Sequence, residues 1–387
     1  MKRIYLDNSA TTPPDPQVVR EMAEWSARHF GNPSSVHAFG REAKIKIEEA
    51  RAKLADLIGA QPGEIIFTSG GTEANNLAVI GAAKAQADRG QQILLSAVEH
   101  PSVLKTANYL HANGLNVDFI SPDPQGVVTL EQLQKAQTAQ TVLVSIMHVN
   151  NETGIIHPVG EIATWCREHG ILFHCDVVQS FGKLPVTIRE IPADLLTFSA
   201  HKIHGPKGVG ALYVRKGVAL EPLLFGGGQE ANRRPGTENL TGIVGFDAVL
   251  ELLTKQQENF NRLTELQGFF ERSLKAIKDD IRIVGESVVR SPYISNVIFP
   301  GIDNESFLLN LDMAGIAASV GSACSSGSVQ PSHVLSAMGF SERDVKSAVR
   351  FSFARTTTME ELNEALLRIR EIVNRLSADP SKSPRPA

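Results

Sequence analysis

The chain has 387 residues, enough for two domains or one large one at roughly 100–200 residues per domain. Hydrophobic residues make up 42% and charged residues 21%, and the 31 Gly and 20 Pro are few, so wholesale disorder and fibrous or low-complexity classes are excluded. With 38 basic and 42 acidic residues the formal net charge is −4. This charge provides no basic field for a phosphate backbone, so we expect no nucleic-acid partner.

The sequence contains no run that approaches the roughly 18 consecutive apolar residues of a membrane helix, so no membrane partner is expected. The amino terminus reaches Asp7 and Asn8 before any apolar run, which differs from a secretory signal and favours the cytoplasm. Three widely spaced cysteines, Cys166, Cys175 and Cys324, fit neither a disulfide framework nor a CxxC metal site. We therefore expect a reducing compartment.

The first half of the chain alternates helical and strand patterns. A helix is predicted from Arg41 to Ile58, ending at Gly59, and the helical pattern from Pro158 to His169 is the clearest of those that separate the strands. Several of the apolar runs are apolar on both faces, which predicts an α/β domain whose mainly parallel sheet is covered by helices. The predicted strands are Glu64 to Thr68, Gln92 to Ala97, Val117 to Ile120, Thr141 to Val149, Ile171 to Val177, Leu195 to Ser199 and Val209 to Val214.

The pattern changes after a glycine run at Gly226 to Gly228. A long helical stretch, Leu240 to Ile277, is typical of a connector between domains, and the mixed pattern after it predicts a smaller α+β domain. The elements predicted there are strands Ser295 to Phe299 and Ala348 to Ala354, and helices Glu305 to Met313, Ser332 to Met338 and Met359 to Leu376. The domains are placed at 15–260 (large), 1–14 with 261–376 (small, including Cys324) and 377–387 (flexible tail).

The turn after the first predicted strand could bind an anion. It reads Phe67-Thr68-Ser69-Gly70-Gly71-Thr72-Glu73, in which two glycines permit close backbone approach and Thr72 supplies a hydroxyl at the start of a helix. The alternative is an ordinary Gly-rich turn. The segment is neither the dinucleotide GxGxxG nor a Walker A loop, so nicotinamide and nucleotide sites gain no support.

An acid and a lysine follow two further strands. Asp176 ends an apolar strand, where alternation puts it on the same face as Val178, and a protonated pyridine nitrogen would compensate its burial. Lys202 follows the next strand, where desolvation would make its amine a nucleophile. A turn aspartate, a solvated loop lysine and the competing Lys207 are the alternatives. Taken together with the phosphate turn, the pair indicates a pyridoxal phosphate site.

Five other residues are candidates for chemistry. His100 could lie against a cofactor ring or move protons, although a structural histidine is the alternative. Asn151 stands at a strand end, where a polar group can reach a ligand, although taken alone this segment indicates only a turn. Cys324 lies in the polar run Gly321 to Ser328, which would allow its thiolate to reach a target. The alternative is an incidental surface cysteine. Arg350 or Arg355 could grip a substrate carboxylate, the alternative being a surface salt bridge.

In combination these motifs are recognisable. The chain resembles the cysteine desulfurases of the NifS/IscS type, within the class V aminotransferase branch of the fold-type I pyridoxal phosphate enzymes, from Tyr5 to about Leu376. The matching motifs, in order, are Tyr5-Leu6-Asp7-Asn8-Ser9-Ala10-Thr11-Thr12, Phe67 to Glu73, Glu99-His100, Met147 to Glu152, Asp176 with Gln179, Ser199 with His201-Lys202, Arg234-Pro235-Gly236-Thr237, Gly321 to Cys324 and Arg350-Phe351-Ser352. The resemblance implies a seven-stranded, mainly parallel sheet in the large domain.

By this resemblance, pyridoxal 5'-phosphate is the cofactor and the residues around it have defined roles. Lys202 would bind it covalently and act as base at the substrate Cα, and Asp176 would pair with the ring nitrogen. His100 and Val178 would pack on opposite ring faces. The remaining implied contacts are Gln179 and Asn151 at the phenolic oxygen, Gly71, Thr72, Ser199 and His201 at the phosphate, and Thr237 reaching across from the second subunit of a homodimer.

The resemblance also implies the reaction. Arg350, helped by Asn8 and Asn151, would bind the carboxylate of L-cysteine, and Cys324 would take its sulfur as a persulfide, leaving L-alanine. The sulfur would pass to a scaffold protein for iron–sulfur cluster assembly and to other thio-cofactors. No resident metal is expected; transient iron–sulfur cluster ligation by Cys324 is the one exception considered.

Three alternatives and two departures accompany this hypothesis. The same fold could carry a cystine, cysteine-sulfinate or selenocysteine lyase, or an aminotransferase, in which Cys324 is dispensable. A non-enzymatic iron–sulfur carrier is the third alternative, but three scattered cysteines do not suit cluster binding.

Val177 stands where the family usually has Ala or Gly and could alter how the ring is seated. The segment Ser34 to His37 and the short tail differ from some relatives, which leaves the choice of sulfur acceptor open.

Overall fold

A computed structural model describes residues 2–321 and 331–378, apart from the side chains of residues 254 and 255. Its strands are β1 (Ile4–Tyr5), β2 (Ile65–Thr68), β3 (Gln92–Ser96), β4 (Asn116–Ile120), β5 (Thr141–Ser145), β6 (Leu172–Asp176), β7 (Leu195–Ser199), β8 (Gly210–Val214), β9 (Arg282–Ile283), β10 (Ile294–Ile298), β11 (Ile316–Ala317) and β12 (Ala348–Ser352). All seven strands predicted in the first half are present, but β5 ends at Ser145, four residues short of the predicted end.

The helices separate and cover these strands. They are α1 (Pro16–Arg28), α2 (Ala38–Ile58), α3 (Gly71–Asn76), α4 (Ala82–Ala85), α5 (Pro101–Leu104), α6 (Thr106–Ala112), α7 (Leu130–Ala136), α8 (Val159–Glu168), α9 (Leu240–Glu251), α10 (Gln256–Lys275), α11 (Asn304–Met313), α12 (His333–Ala337), α13 (Glu342–Val345) and α14 (Met359–Ser377). A π-helical turn, Leu77–Gly81, joins α3 to α4. None of the described helices combines the length and apolar composition needed to cross a bilayer.

The long connector predicted from Leu240 to Ile277 is not one helix. It is interrupted by a 3-10 turn at Leu252–Lys255, which separates α9 from α10. Leu252 and Leu253 in this turn line a small cavity with Tyr293 and Phe353.

The large sheet has seven strands in the order β2-β8-β7-β6-β5-β3-β4. The pairs from β7 to β4 are parallel, whereas β8 runs antiparallel to both β2 and β7. Adjacent residues on a strand enter different apolar clusters, Leu94 on one face and Ile93 on the other, as period-two alternation requires for a sheet covered on both sides. The predicted α/β class with a mainly parallel seven-stranded sheet is confirmed.

The second half builds a separate apolar cluster around an antiparallel three-stranded sheet, β12-β10-β9. Helices α10, α11 and α14 pack on it, and Ile4 and Leu6 from the amino terminus join the same cluster. The first strand, β1, pairs in parallel with β11, placing the first residues of the chain beside its last third. The boundaries 15–260 and 261–376 remain a proposal for how these two cores divide the chain.

Candidate active site

The cavity of interest lies where strands β6 and β7 end, beside the first turn of α3. It has a volume of about 200 Å³. Such a position, at the carboxyl ends of parallel strands, is where open α/β sheets bind ligands. Its lining includes the predicted residues Gly71, Thr72, His100, Asn151, Asp176, Val178, Gln179, Ser199, His201, Lys202 and Arg350, together with Ser9, Ala10, Asn75, Ser102 and Met147.

Asp176 is the last residue of β6, and both of its carboxylate oxygens are held by nitrogen donors. The backbone N–H of Val178 donates to Oδ1 at 2.9 Å and the side-chain amide of Asn75 donates to Oδ2 at 2.8 Å. Only 5% of Asp176 is exposed. A buried carboxylate fixed in this way favours a positively charged partner in the cavity, and a protonated pyridine nitrogen is such a partner.

Lys202 ends the 3-10 turn Ala200–Lys202 that follows β7. Its Nζ donates to the backbone carbonyls of Ser9 at 2.5 Å and Ala10 at 2.7 Å. These carbonyls belong to the amino-terminal segment, which therefore forms one wall of the cavity. Carbonyl acceptors hold the amine at the cavity surface, where it can meet an aldehyde carbon.

One end of the cavity suits a phosphate group. A Cβ added at Gly71 would approach Val178 Cγ2 to 3.2 Å and Ser199 Cβ to 3.6 Å, so glycine keeps this wall open. The Ser199 hydroxyl is buried and has no hydrogen-bond partner among the described residues. Burial, with the charge of Lys202 next in importance, lowers the pKa of His201 to about 4, so its ring is neutral and can still donate. These groups fit the phosphate of pyridoxal phosphate.

Arg350 lies within β12 and only 2% of it is exposed. Its guanidinium donates to the backbone carbonyl of Asn151 at 2.8 Å and to Asp7 Oδ1 at 2.9 Å, while its Nε has no partner in the described part of the chain. A second carboxylate could be recognised by the same planar group. Asn8 does not line the cavity; its amide nitrogen donates to the carbonyls of Ser352 and Tyr5.

Gln179 reaches the cavity with a fixed amide. Its Nε2 donates to the Ser9 carbonyl at 2.9 Å, and its Oε1 accepts from Lys183 Nζ at 3.0 Å. Lys183 is 6% exposed and its ammonium lies 5.4 Å from the ring centroid of Tyr293. Burial, reinforced by the charges of Lys202 and Arg350, lowers the pKa of Lys183 to about 7.

Lys183, Asn75 and Ser102 are missing from the sequence-based site. Lys183 lies four residues after Gln179, and this spacing could have indicated the contact between them. A spacing of four predicts a side-chain contact only when the residues between form a helix-like turn. Asn75 and Ser102 follow strands β2 and β3, two positions after motifs that were recognised. Both are polar residues in short helices, which from sequence alone suggests nothing beyond a capping or solvent-facing role.

The predicted nucleophile, Cys324, lies outside the described residues. The other two cysteines are buried in the core, and neither lines the cavity. Burial raises the pKa of the Cys166 thiol to about 12 and that of Cys175 well above its ordinary value, so neither forms a thiolate near neutral pH. Thr237 is exposed on a loop and does not line this cavity. Val177 packs in the core rather than against the cavity.

Comparisons with known proteins agree with this geometry. Residues 4–365 match the family Aminotransferase class-V. The chain belongs to this family. It is 45% identical over 378 residues to the cysteine desulfurase IscS of Dictyoglomus turgidum, covering 97% of this chain and 96% of that protein, and 44% identical over 377 residues to the IscS of Methanosarcina thermophila, covering 97% and 93%.

Solved structures give the same result for this member of the family. A NifS-like protein superposes with a TM-score of 0.91 at 37% identity, covering 97% of this chain and 100% of that one. A structure described as SspA in complex with cysteine has a TM-score of 0.80 at 34% identity, covering 92% and 100%. The resemblance to NifS/IscS-type enzymes inferred from the motifs is therefore confirmed.

Proposed function

We propose that this protein is a pyridoxal phosphate-dependent cysteine desulfurase that converts L-cysteine to L-alanine. The observation that carries the proposal is the convergence of Lys202, Asp176 and Arg350 on one cavity of about 200 Å³. An amine, an acid and a guanidinium are what covalent cofactor attachment, ring protonation and substrate carboxylate binding respectively require. The cysteine desulfurases among the relatives support the choice of substrate.

The residues present divide the work between them. When bound, pyridoxal phosphate supplies an electron sink for the carbon skeleton of the substrate. Lys202 would hold the cofactor through Nζ and would move the proton at the substrate Cα. Asp176 would pair with the ring nitrogen, and Ser199, His201, Gly71 and Thr72 would hold the phosphate. Asn151 and Gln179 face the phenolic oxygen.

Arg350 orients the substrate by its carboxylate. The thiolate of Cys324 then attacks the sulfur of the substrate. A sulfur–sulfur bond forms on Cys324, the carbon–sulfur bond breaks, and its electron pair stays with the carbon, which later takes up a proton to become the methyl group of alanine. The persulfide is thus the product retained by the protein.

We further propose that the persulfide sulfur passes to a scaffold protein for iron–sulfur cluster assembly and to other thio-cofactors, in the cytoplasm. A homodimer is part of this proposal. Thr237 lies on an exposed loop and does not line the cavity of its own chain, so it is available for a contact with the phosphate site of a partner subunit.

The test is alanine release from L-cysteine in the presence of a thiol reductant, by the parent protein and by Cys324→Ala, with cofactor absorbance recorded alongside. We expect the variant to keep the absorbance and lose turnover. Cys166→Ala is the matched control, since Cys166 is buried in the core, and it should turn over normally. Equal alanine release by Cys324→Ala would replace the desulfurase assignment with a lyase or aminotransferase of the same fold.

A further inference from the structure

A chain of hydrogen bonds joins Asp176 to His100 through two buried side chains. Asn75 Nδ2 donates to Asp176 Oδ2 at 2.8 Å and also to Ser102 Oγ at 2.8 Å. Ser102 Oγ in turn lies 2.7 Å from His100 Nδ1. Asn75 is 1% exposed and Ser102 9%, so water does not compete for these contacts. The chain therefore connects the acid expected at the ring nitrogen with the histidine expected at the ring face.

The donor and acceptor of each hydrogen bond in this series follow from the Asp176 carboxylate at its start. A carboxylate only accepts, so the amide of Asn75 must turn its nitrogen towards Asp176. The second hydrogen of that nitrogen occupies a lone pair of Ser102 Oγ, and the single hydroxyl hydrogen of Ser102 is left to point at His100 Nδ1. Since Nδ1 accepts, the proton of the neutral ring is on Nε2.

A second donor acts on the same ring nitrogen. His100 is the N-cap of α5, and its Nδ1 also accepts the backbone N–H of Ser102 at 3.1 Å. Two donors aimed at Nδ1 leave no room for a proton there. Nε2 has no hydrogen-bond partner among the described residues, and the ring lines the cavity.

Burial, together with nearby positive groups, keeps this ring neutral. Burial is the main cause that lowers the pKa of His100, and Lys202, His333 and Arg350 lower it further, while Asp176 opposes them. Hydrogen bonds to the unprotonated Nδ1 act in the same direction, because they stabilise the neutral form. Near neutral pH the ring therefore offers one donor, Nε2–H, to the cavity.

We infer that Asn75 and Ser102 are positioning residues that hold His100 as the Nε2–H tautomer, so that it meets the bound substrate as a hydrogen-bond donor and not as an acceptor. Through Nε2–H the neutral ring can then donate a hydrogen bond to an atom of the substrate, but Nε2 can neither accept a hydrogen bond nor take up a proton. Which substrate atom receives it rests on the proposed function; the tautomer itself does not.

The test is nitrogen NMR of the holoenzyme labelled with ¹⁵N-histidine, with the His100 signals identified by their loss in His100→Asn. Unprotonated and protonated ring nitrogens have widely separated shifts, so the tautomer is read directly. We expect Nδ1 to be unprotonated in the parent. In Ser102→Ala the His100 protonation midpoint should rise by about 0.5–1 pH unit, because Nδ1 loses a donor. In Asn75→Ala the released hydroxyl can also accept, so the two tautomers should mix.

Two further variants separate positioning from general damage. Ser102→Thr keeps the hydroxyl and should restore the parental signals. Asn76→Ala removes a contact with the backbone carbonyl of Ser102 but none with its hydroxyl, so it should leave the His100 signals unchanged. A protonated Nδ1 in the parent, or a Ser102→Ala midpoint equal to that of the parent, would overturn the inference. Because no turnover is measured, neither result depends on whether cysteine is the substrate.

Discussion

Arg350, which lines the cavity, is paired with Asp7, with Nη2 donating to Oδ1 at 2.9 Å. They are 343 positions apart in the sequence, and Arg350 is almost fully buried. The guanidinium that we propose for the substrate carboxylate thus already holds one carboxylate. Substrate binding brings a second negative charge beside the first, so the affinity for L-cysteine is set partly by Asp7.

Asp7→Asn keeps the hydrogen-bond acceptor and removes the negative charge. We expect the KM for L-cysteine to fall by roughly two- to ten-fold with kcat little changed, because a repulsion of about 1 kcal/mol is relieved. The free energy of unfolding should fall by about 1–3 kcal/mol, since Arg350 loses its compensating charge. Asp15→Asn, which removes the carboxylate paired with Arg355, is the control: it should change stability but not KM. A raised KM in Asp7→Asn would contradict the prediction.

The buried pair between Arg51 and Glu230 is expected to stabilise the fold strongly. Glu230 accepts from both terminal nitrogens of Arg51, at 2.7 and 2.8 Å, and from the backbone N–H of Phe67 at 3.0 Å. Glu230→Gln should lower the free energy of unfolding by about 2–4 kcal/mol, because the Arg51 charge stays buried without compensation. Glu48→Gln removes the other, half-exposed partner of Arg51 and should cost less than about 1 kcal/mol. Chemical denaturation measures both, and equal losses would refute the argument.

Lys183 should make stability depend on pH in the alkaline range. Its pKa is about 7 in the folded protein and near 10.4 in an unfolded chain. Between these values the unfolded state binds more protons, so folded-state stability rises as pH rises from about 7 to 10.4 and is lowest, as far as Lys183 is concerned, below pH 7. In Lys183→Met this contribution disappears.

Denaturation curves of the parent and of Lys183→Met at several pH values measure this effect. Between pH 7 and 10.4, the free energy of unfolding of the parent should rise relative to that of the variant by up to roughly 4–5 kcal/mol. Lys84→Met replaces an exposed lysine and should run parallel to the parent. Parallel curves for Lys183→Met as well would show that Lys183 keeps an ordinary pKa.

Val177 and Val178 should behave differently although they are neighbours. Val177 is fully buried in the core, so Val177→Ala should lower the free energy of unfolding by about 1–3 kcal/mol and leave the cofactor absorbance unchanged. Val178 lines the cavity, so Val178→Ala should change the absorbance or weaken cofactor binding at a smaller cost in stability. A spectral change in Val177→Ala would show that the bulkier side chain does affect the seating of the ring.

The sequence predicted those parts of the fold and site that depend on short-range pattern. Strand ends carry Asp176, Ser199 and Lys202, and alternation alone placed Asp176 and Val178 on one face. The small strands β1, β9 and β11 were missed because each has two residues, too few to show a period.

The contacts that connect distant parts of the chain were also missed. The pairing of Lys202 with the carbonyls of Ser9 and Ala10 joins residues almost 200 positions apart through backbone atoms, which every residue possesses. The Asn75–Ser102 contact depends on how two short helices pack beside β6, and no local pattern reports this. The types of side chain in a sequence can therefore indicate a functional site. The backbone acceptors and the supporting side chains around that site can be identified only from the three-dimensional structure.

The amino-terminal segment has a consequence for how the protein is made. Asn8 donates to the carbonyl of Ser352, 344 residues away, and the Leu6 carbonyl accepts from the backbone of Ser352. During synthesis this segment emerges long before the strand that it contacts, because Ser352 follows Asn8 by 344 residues. A nascent chain that has not reached β12 cannot complete the wall around Lys202, so catalytic competence arises only after β12 has been made.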